Sequence, residues 1–420
     1  MSDNSSSEGP ALQDRTLLIL GAAGPSKPLL FQAARARGIR TVLIKENATW
    51  EKEYCDDVLS LPVENYTDFE ETVAAVVDYC RGQRVDGIIT TFDSAVPVMA
   101  QVAEILGLNG PSPSAAAALR DKAAMRRRFA ELGLPSAASI LVRTLEEARA
   151  AVAEIGYPVV IKPTYGTGSA GVVLAHKAEE VEAAFDKARE VGLNLSDCSD
   201  LVVEEYLDGL EVTVDALVFE GEILFHNISD NPELMPGPTF PEVEFITPTA
   251  FPAETVATAF AANELTIKGF GLDNAVVHAE MRMTTRGPRL LELHPRPAGQ
   301  RVPQIIGRSL GVDLMGAAIE IALGHRPTIT PQRKGYAGYR AVCPEVPGTL
   351  KAINGLGDAR SSAGVYDIEV VLDPGARLVT VPEAVQQDAT YVYVEADTYE
   401  EVHQRLLAAT ALVELELELQ

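Results

Sequence analysis

The chain changes rhythm near residue 112. Ahead of that point short apolar runs alternate with helix-length segments: RTLLILGAAG (15–24), PLLFQAARARG, TVLI (41–44), DDVLSLP (56–62), TDFEETVAAVVDYCRG, VDGIIT (85–90) and AVPVMAQVAEILG. Such alternation builds an open parallel sheet with helices on its faces, so an α/β unit is expected over the first part of the chain. Beyond 112 strands follow strands, as in YPVVIKPTYGTGSAGVVLAH (157–176), LVVEEYLDGLEVTVDALVFEGEIL (201–224) and LDNAVVHAEMRMTTRGPRLLELHPRPAG (272–299). Those segments read as antiparallel hairpins. A chain of 420 residues exceeds one ordinary core, so two or three packed subdomains are expected.

Charge narrows the partners. Sixty acidic residues against 35 basic ones give a net charge of −25, which repels nucleic acid and anionic membranes. A small anionic ligand remains compatible, because a local group of Lys, Arg and backbone N–H opposes the global field over a short range. Cys55, Cys80, Cys198 and Cys343 are scattered without metal-knuckle spacing, which fits a reducing, cytoplasmic setting. The opening MSDNSSSEGPALQ is polar with no signal core, no later stretch is long and apolar enough to span a membrane, and residues 1–14 are expected to form a disordered tail.

Several segments carry chemistry only in combination. GAAG lacks the full dinucleotide fingerprint, and no acidic residue ends the second strand, so a tight βα turn accounts for it. Within 110–135 a Pro/Ser linker leads into a helix bearing Asp121, Lys122 and three consecutive arginines, closed by Gly133 and Pro135. The hairpin loop with Gly166, Gly168, Ser169 and Gly171 lets backbone N–H groups approach phosphate oxygens, and Lys162 on the preceding strand adds a point charge. The connector holding Glu204, Glu205, Tyr206, Leu207 and Glu211 offers acceptors, a backbone N–H and apolar faces suited to adenine and ribose, though acid-rich connectors are commonly just solvated. Glu280 and Glu292 can face each other across an antiparallel pair and supply hard oxygen ligands to Mg²⁺, and their apolar neighbours imply burial. In LELHPRPAG (291–299), Glu292, His294 and Arg296 alternate along an apparent strand, which crowds carboxylate, imidazole and guanidinium together.

In order and spacing these features resemble the ATP-grasp superfamily over roughly residues 15–420, and within it the L-amino acid ligases and carnosine-synthase-like carboxylate–amine ligases. The resemblance implies an N-terminal open parallel α/β domain (15–112), a linker helix and small lid subdomain (113–205), an antiparallel-sheet catalytic domain (206–330) and a C-terminal cap (331–420). It implies that Lys122 and Lys162 contact ATP phosphates under the 166–171 loop. Glu204, Tyr206 and Leu207 would meet adenine, Glu211 the ribose, and Glu280 and Glu292 would hold Mg²⁺, with Mn²⁺ as the alternative ion. Arg296 would face an acyl phosphate and the oxyanion that follows it. His294 departs from the family, which usually has asparagine there. Metal ligand, group contacting substrate or metal-bound water, and structural histidine all stay open. His278, two positions before Glu280, is the better candidate for touching substrate, and Glu242 in PEVEFITP is a candidate partner for a substrate ammonium. The implied reaction joins a small-molecule carboxylate and an amine, amino acids on both sides, through an acyl phosphate with release of ADP and phosphate. A homodimer is a family expectation. The alternative is a carboxylase or purine-biosynthesis type using bicarbonate or formate, whose PRPH-like sequence is replaced here by PRPAG.

Overall fold

A computed structural model describes residues 12–21, 28–62, 69–232, 240, 242–299, 301–379 and 387–419. Residues 1–11 of the expected tail, the GAAG turn beyond Gly21 and most of the Pro-rich 231–240 stretch lie outside the described residues.

Strands β1 (Thr16–Leu20), β2 (Arg40–Ile44), β3 (Asp57–Leu59) and β4 (Gly87–Thr90) form a parallel sheet in the order β3-β2-β1-β4. All five residues of β1, TLLIL, are buried, because helices cover both faces and leave no solvated side. Strand β4 ends at a pair of buried threonines followed by Asp93, at the carboxyl edge where open parallel sheets present ligands.

The single helix expected within 110–135 is two, Pro113–Arg120 and Lys122–Glu131. Asp121 adopts extended dihedrals and its side chain caps the amides of Ala123 and Ala124, so the second helix restarts with a new N-terminus. The amide of Lys122 donates to the carbonyl of Thr164, which ties this restart to the strand before the glycine loop. A continuous helix would have no free amide there, and the composition of the segment hides the break.

A second sheet, β5 (Ser139–Val142), β8 (Leu201–Glu205), β6 (Val159–Pro163) and β7 (Val173–Ala175) in that order, is antiparallel, and the glycine loop joins β6 to β7 as the expected hairpin. The largest sheet contains β9 (Leu210–Phe219), β10 (Glu222–Asn231), β11 (Glu244–Thr247), β12 (Ala275–Thr284), β13 (Gly287–His294) and β14 (Tyr336–Val342). Of the strands that follow, β15 (Gly348–Asn354), β17 (Arg377–Leu378) and β19 (Glu414–Glu418) make a small separate sheet, while β16 (Val365–Val370) and β18 (Thr390–Ala396) extend the large one. Its order is β13-β12-β9-β10-β11-β14-β18-β16, so the segment 331–420 continues the sheet that begins with the paired glutamates.

Alternation along β9 sets what the sheet does. Val212, Val214, Ala216 and Val218 point into a core shared with the helix Ala253–Gly269, as Ala279 and Met281 do from β12. Glu211, Thr213 and Asp215 point the other way. Further along that second face Leu217, Phe219 and Phe225 pack under the helices Val302–Leu310 and Leu314–Ala322. One face of the sheet is therefore apolar at its far end and polar at its near end.

Candidate active site

The polar end is a grid fixed by strand register. Glu292 lies opposite Glu280, Glu280 opposite Thr213, and Thr213 opposite Ser229; one step along, His294 lies opposite His278, His278 opposite Asp215, and Asp215 opposite Asn227. Because partners in one row share a face, the register alone crowds these groups on one floor. Thr213 Oγ1 and Asp215 Oδ2 are buried with no hydrogen-bond partner among the described residues, so the floor has unused polar capacity.

A pocket of about 250 Å³ stands over this floor, bordered by Lys122, the loop 166–170, Glu242, His278, Glu280, Glu292, His294, Arg296 and Asp93. A second cleft shares Ser169, Val172, Glu280 and Glu292 with it and runs between Val160, Leu207 and Leu291 on its apolar walls and Glu204, Glu211 and Arg282 on its polar ones. Tyr206 stacks on Phe240 with ring centroids 6.4 Å apart, and Leu207 is buried. Gly209, in the connector from β8 to β9, has φ +91°, and a Cβ there would stand 2.2 Å from the carbonyl oxygen of Met283. Only glycine lets the connector lie this close to β12.

Both candidate lysines converge on Glu292. Lys122 Nζ is 3.1 Å from Glu292 Oε2, and Lys162 Nζ is 3.4 Å from Oε1 and 2.9 Å from Glu204 Oε2. Burial would raise the Glu292 carboxyl, but the two ammonium groups hold it well below the usual carboxylate range. Glu204, expected beside adenine, has its carboxylate engaged by Lys162 and by Arg126, whose Nη2 donates at 3.0 Å. Burial favours the protonated form of Glu204, and those two cations outweigh it. Glu211 pairs with Arg282 at 2.8 Å and also hydrogen-bonds Glu242; burial, with Glu280 nearby, keeps its carboxyl raised.

Glu280, Glu292 and His294 offer ligand atoms that all lie within 4.8 Å of one another. His294 Nδ1 is 3.0 Å from Asp93 Oδ1, while Nε2 faces Glu292 and Glu280 at 3.5 and 3.8 Å. Burial would lower the imidazole, yet Asp93 and Glu292 raise it to about 9, so at neutral pH it carries a proton between two carboxylates. A divalent cation fits the same place: two carboxylates supply charge, and an imidazole anchored at Nδ1 by a carboxylate presents Nε2, an arrangement common behind metal-binding histidines.

Arg296 is buried, and its guanidinium grips Asp93 with both Nε and Nη2, the latter at 2.8 Å from Oδ2. His278 Nδ1 is 2.9 Å from Asp215 Oδ1. The structure therefore brings Lys122, Lys162, Glu242, His278, Glu280, Glu292, His294, Arg296 and the glycine loop together, with Glu204, Tyr206, Leu207 and Glu211 around the adjoining cleft. Sequence reasoning missed Asp93, Arg126, Asp215 and Arg282. Asp93 could have been found from its place after a parallel strand. Asp215 could have been found by carrying the period of two onward from Glu211.

A lid hairpin, an adjoining cleft and paired glutamates on an antiparallel floor are features of the ATP-grasp fold, and ATP-grasp domain models match two parts of this chain. The ATP-grasp N-terminal domain matches residues 31–110 and the ATP-grasp domain residues 155–304; the L-amino acid ligase C-terminal domain 2 matches residues 340–418. Human carnosine synthase 1 is 26% identical over 85% of this chain and 45% of its own length. Alanine-anticapsin ligase of Bacillus subtilis is 30% identical over 60% of this chain and 57% of its own. The L-arginine-specific L-amino acid ligase of Bacillus subtilis is 23% identical over 82% of this chain and 83% of its own. This chain thus spans about half the length of the first two. Among solved structures, the L-amino acid ligase from Bacillus licheniformis superposes with a TM-score of 0.82 at 21% identity, over 97% of this chain and 100% of that one. Phosphoribosylglycinamide synthetase from Anaerococcus prevotii gives 0.74 at 20%, covering 96% and 100%. Among the described residues no helix is long and apolar enough to cross a membrane.

Proposed function

We propose that the protein is an ATP-dependent carboxylate–amine ligase that joins two amino acids or amino-acid-like molecules and releases ADP and phosphate. The observation that carries the reading is the convergence of Lys122, Lys162 and Arg296 on the Glu280/Glu292 floor, next to a cleft with apolar walls. The likeness of residues 340–418 to the C-terminal domain of L-amino acid ligases supports amino acids as the substrates.

A carboxylate oxygen attacks the γ-phosphorus of ATP and the bond to the β-phosphate oxygen breaks, giving an acyl phosphate and ADP. The amine nitrogen then attacks the acyl carbon, phosphate leaves with the former carboxylate oxygen, and the ammonium proton is lost. Such steps need positioning and charge neutralisation. Lys122 and Lys162 exchange Glu292 and Glu204 for phosphate oxygens, and amides of the 166–171 loop add donors. Tyr206 and Leu207 enclose adenine, and Glu211 takes ribose hydroxyls. Arg296 stabilises the tetrahedral oxyanion. His278, oriented by Asp215, and Glu242 contact the substrates. Glu280 and Glu292, with His294, would hold Mg²⁺ or Mn²⁺, which neutralises charge on the transferred phosphate. Homodimeric assembly, a cytoplasmic setting and indifference to nucleic acid complete the proposal.

The test is ADP and phosphate release with ATP and Mg²⁺ across single and paired amino acids, followed by product masses. Release that requires a pair and yields the summed mass less water supports the ligase. Stimulation by bicarbonate or formate alone transfers the protein to the carboxylase or purine-biosynthesis type.

A further inference from the structure

Asp93 is where three separate units of the protein meet. It sits at the start of a short 3-10 turn, Asp93–Ala95, after β4 of the parallel sheet, and is 7% exposed. Its Oδ1 accepts from His294 Nδ1 at 3.0 Å at the end of β13, and both oxygens accept from Arg296 just beyond. Its Oδ2 also accepts from Thr167 Oγ1 at 3.1 Å, and Thr167 lies in the glycine loop. That loop is pinned at its base, where Arg120 Nη1 donates to the carbonyl of Gly166 at 2.8 Å. Its next residues, Gly168, Ser169 and Gly171, all have positive φ and belong to no helix or strand, so the span between this anchor and β7 is held by turns alone.

We propose that Asp93 is a positioning residue that couples closure of the glycine loop to the placement of Arg296. With Thr167 on Asp93, the loop is over the pocket and the guanidinium is held in place by the same carboxylate. With Thr167 away, the loop is open and Asp93 keeps only its contacts to Arg296 and His294. The consequence rests on the ligase reading above: an open loop admits water, whose oxygen attacks the acyl carbon in place of the amine, so the acid is regenerated, phosphate leaves, and ATP is consumed without an amide.

The two contacts can be cut separately. Thr167 is exposed, so Thr167→Val removes the hydroxyl without touching a core, and Thr167→Ser restores it. Asp93→Asn keeps an oxygen for Thr167 and removes the charge facing Arg296 and His294. In Thr167→Val, phosphate released per amide formed is expected to rise roughly three- to tenfold, the factor that one hydrogen bond of net stability supplies, and Thr167→Ser returns it to the wild-type ratio. Asp93→Asn lowers kcat for amide formation at least about tenfold with a smaller change in that ratio. Amide hydrogen exchange over 166–171 in the ligand-free protein should quicken severalfold in Thr167→Val. Unchanged exchange overturns the latch itself. Faster exchange with an unchanged phosphate-to-amide ratio overturns the coupling role. If the wild type makes no amide from any pair, the ligase reading fails instead, and the exchange measurement still decides the contact.

Discussion

In the proposed mechanism Arg296 is the side chain on which acyl transfer depends, and its planar fork is set against Asp93 by two hydrogen bonds. Lysine keeps the charge and loses the fork, so Arg296→Lys is expected to lower kcat about a hundredfold while nucleotide affinity changes little. Steady-state kinetics with separate nucleotide titration would show it; equal losses in both would mean that Arg296 serves ATP binding instead. A second residue-scale prediction concerns Asp230, on the opposite face of β10 from the site. Burial pushes its carboxyl up to about 6 from an ordinary 3.8, against hydrogen bonds from Thr249, Ala250 and Tyr399. The folded state then holds the proton over a range where the unfolded chain has lost it, so this group's contribution to stability falls as pH rises from 3.8 through 6. Asp230→Asn should therefore stabilise the protein by on the order of 2 kcal/mol near pH 8, with the gain vanishing near pH 4. Equal denaturation midpoints for the two proteins at both pH values would contradict this. Side-chain identity was also the most legible level in the sequence: Lys122, Lys162, Glu280, Glu292 and Arg296 meet in one place because residue type and order already marked them. The partners that neutralise them, Asp93 and Arg126, come from elements distant in sequence, and no local pattern announces a contact across 203 residues such as Asp93 to Arg296.

Elements show why the rest was harder to read. The hairpin holding the glycine loop and the Glu280/Glu292 register follow from a period of two and a turn of glycines, both local signals. The break at Asp121 does not. An aspartate inside an otherwise helical composition is tolerated as often as it caps, and here the amide of Lys122 bonding to Thr164 decides the matter from outside the segment. The connector Tyr206–Gly209 is likewise governed by a tertiary approach, the carbonyl of Met283 beneath Gly209. Gly209→Ala forces either a strained φ or a shift of the connector away from β12, so a loss of about 2 kcal/mol in stability is expected, with weaker nucleotide binding. Calorimetric titration of ATP against this variant checks it. Wild-type affinity and stability would show that the connector yields without consequence.

At the scale of the whole molecule, the sheet carrying the site runs on into β14, β18 and β16, and the helix Tyr399–Thr410 covers its far face with Val402 and Leu406. A chain ending at residue 330 would leave Phe245 and Ile246 of β11 without their neighbouring strand. Such a truncation is expected to lose cooperative unfolding and near-ultraviolet circular dichroism; a cooperative transition with retained ATP binding would contradict that. The acidic balance of the chain belongs to this scale as well. Inside the pocket Lys122, Lys162 and Arg296 are each paired with a carboxylate, so in the proposed function an anionic nucleotide binds on a protein of net charge −25 by taking over cations already gathered there. The central claim, that a carboxylate is activated by phosphorylation before an amine attacks it, is tested most directly by a heavy-oxygen label in the carboxylate of the acid substrate. Each amide formed should be accompanied by one phosphate carrying one labelled oxygen from that carboxylate. Unlabelled phosphate, or label recovered in AMP, would contradict it.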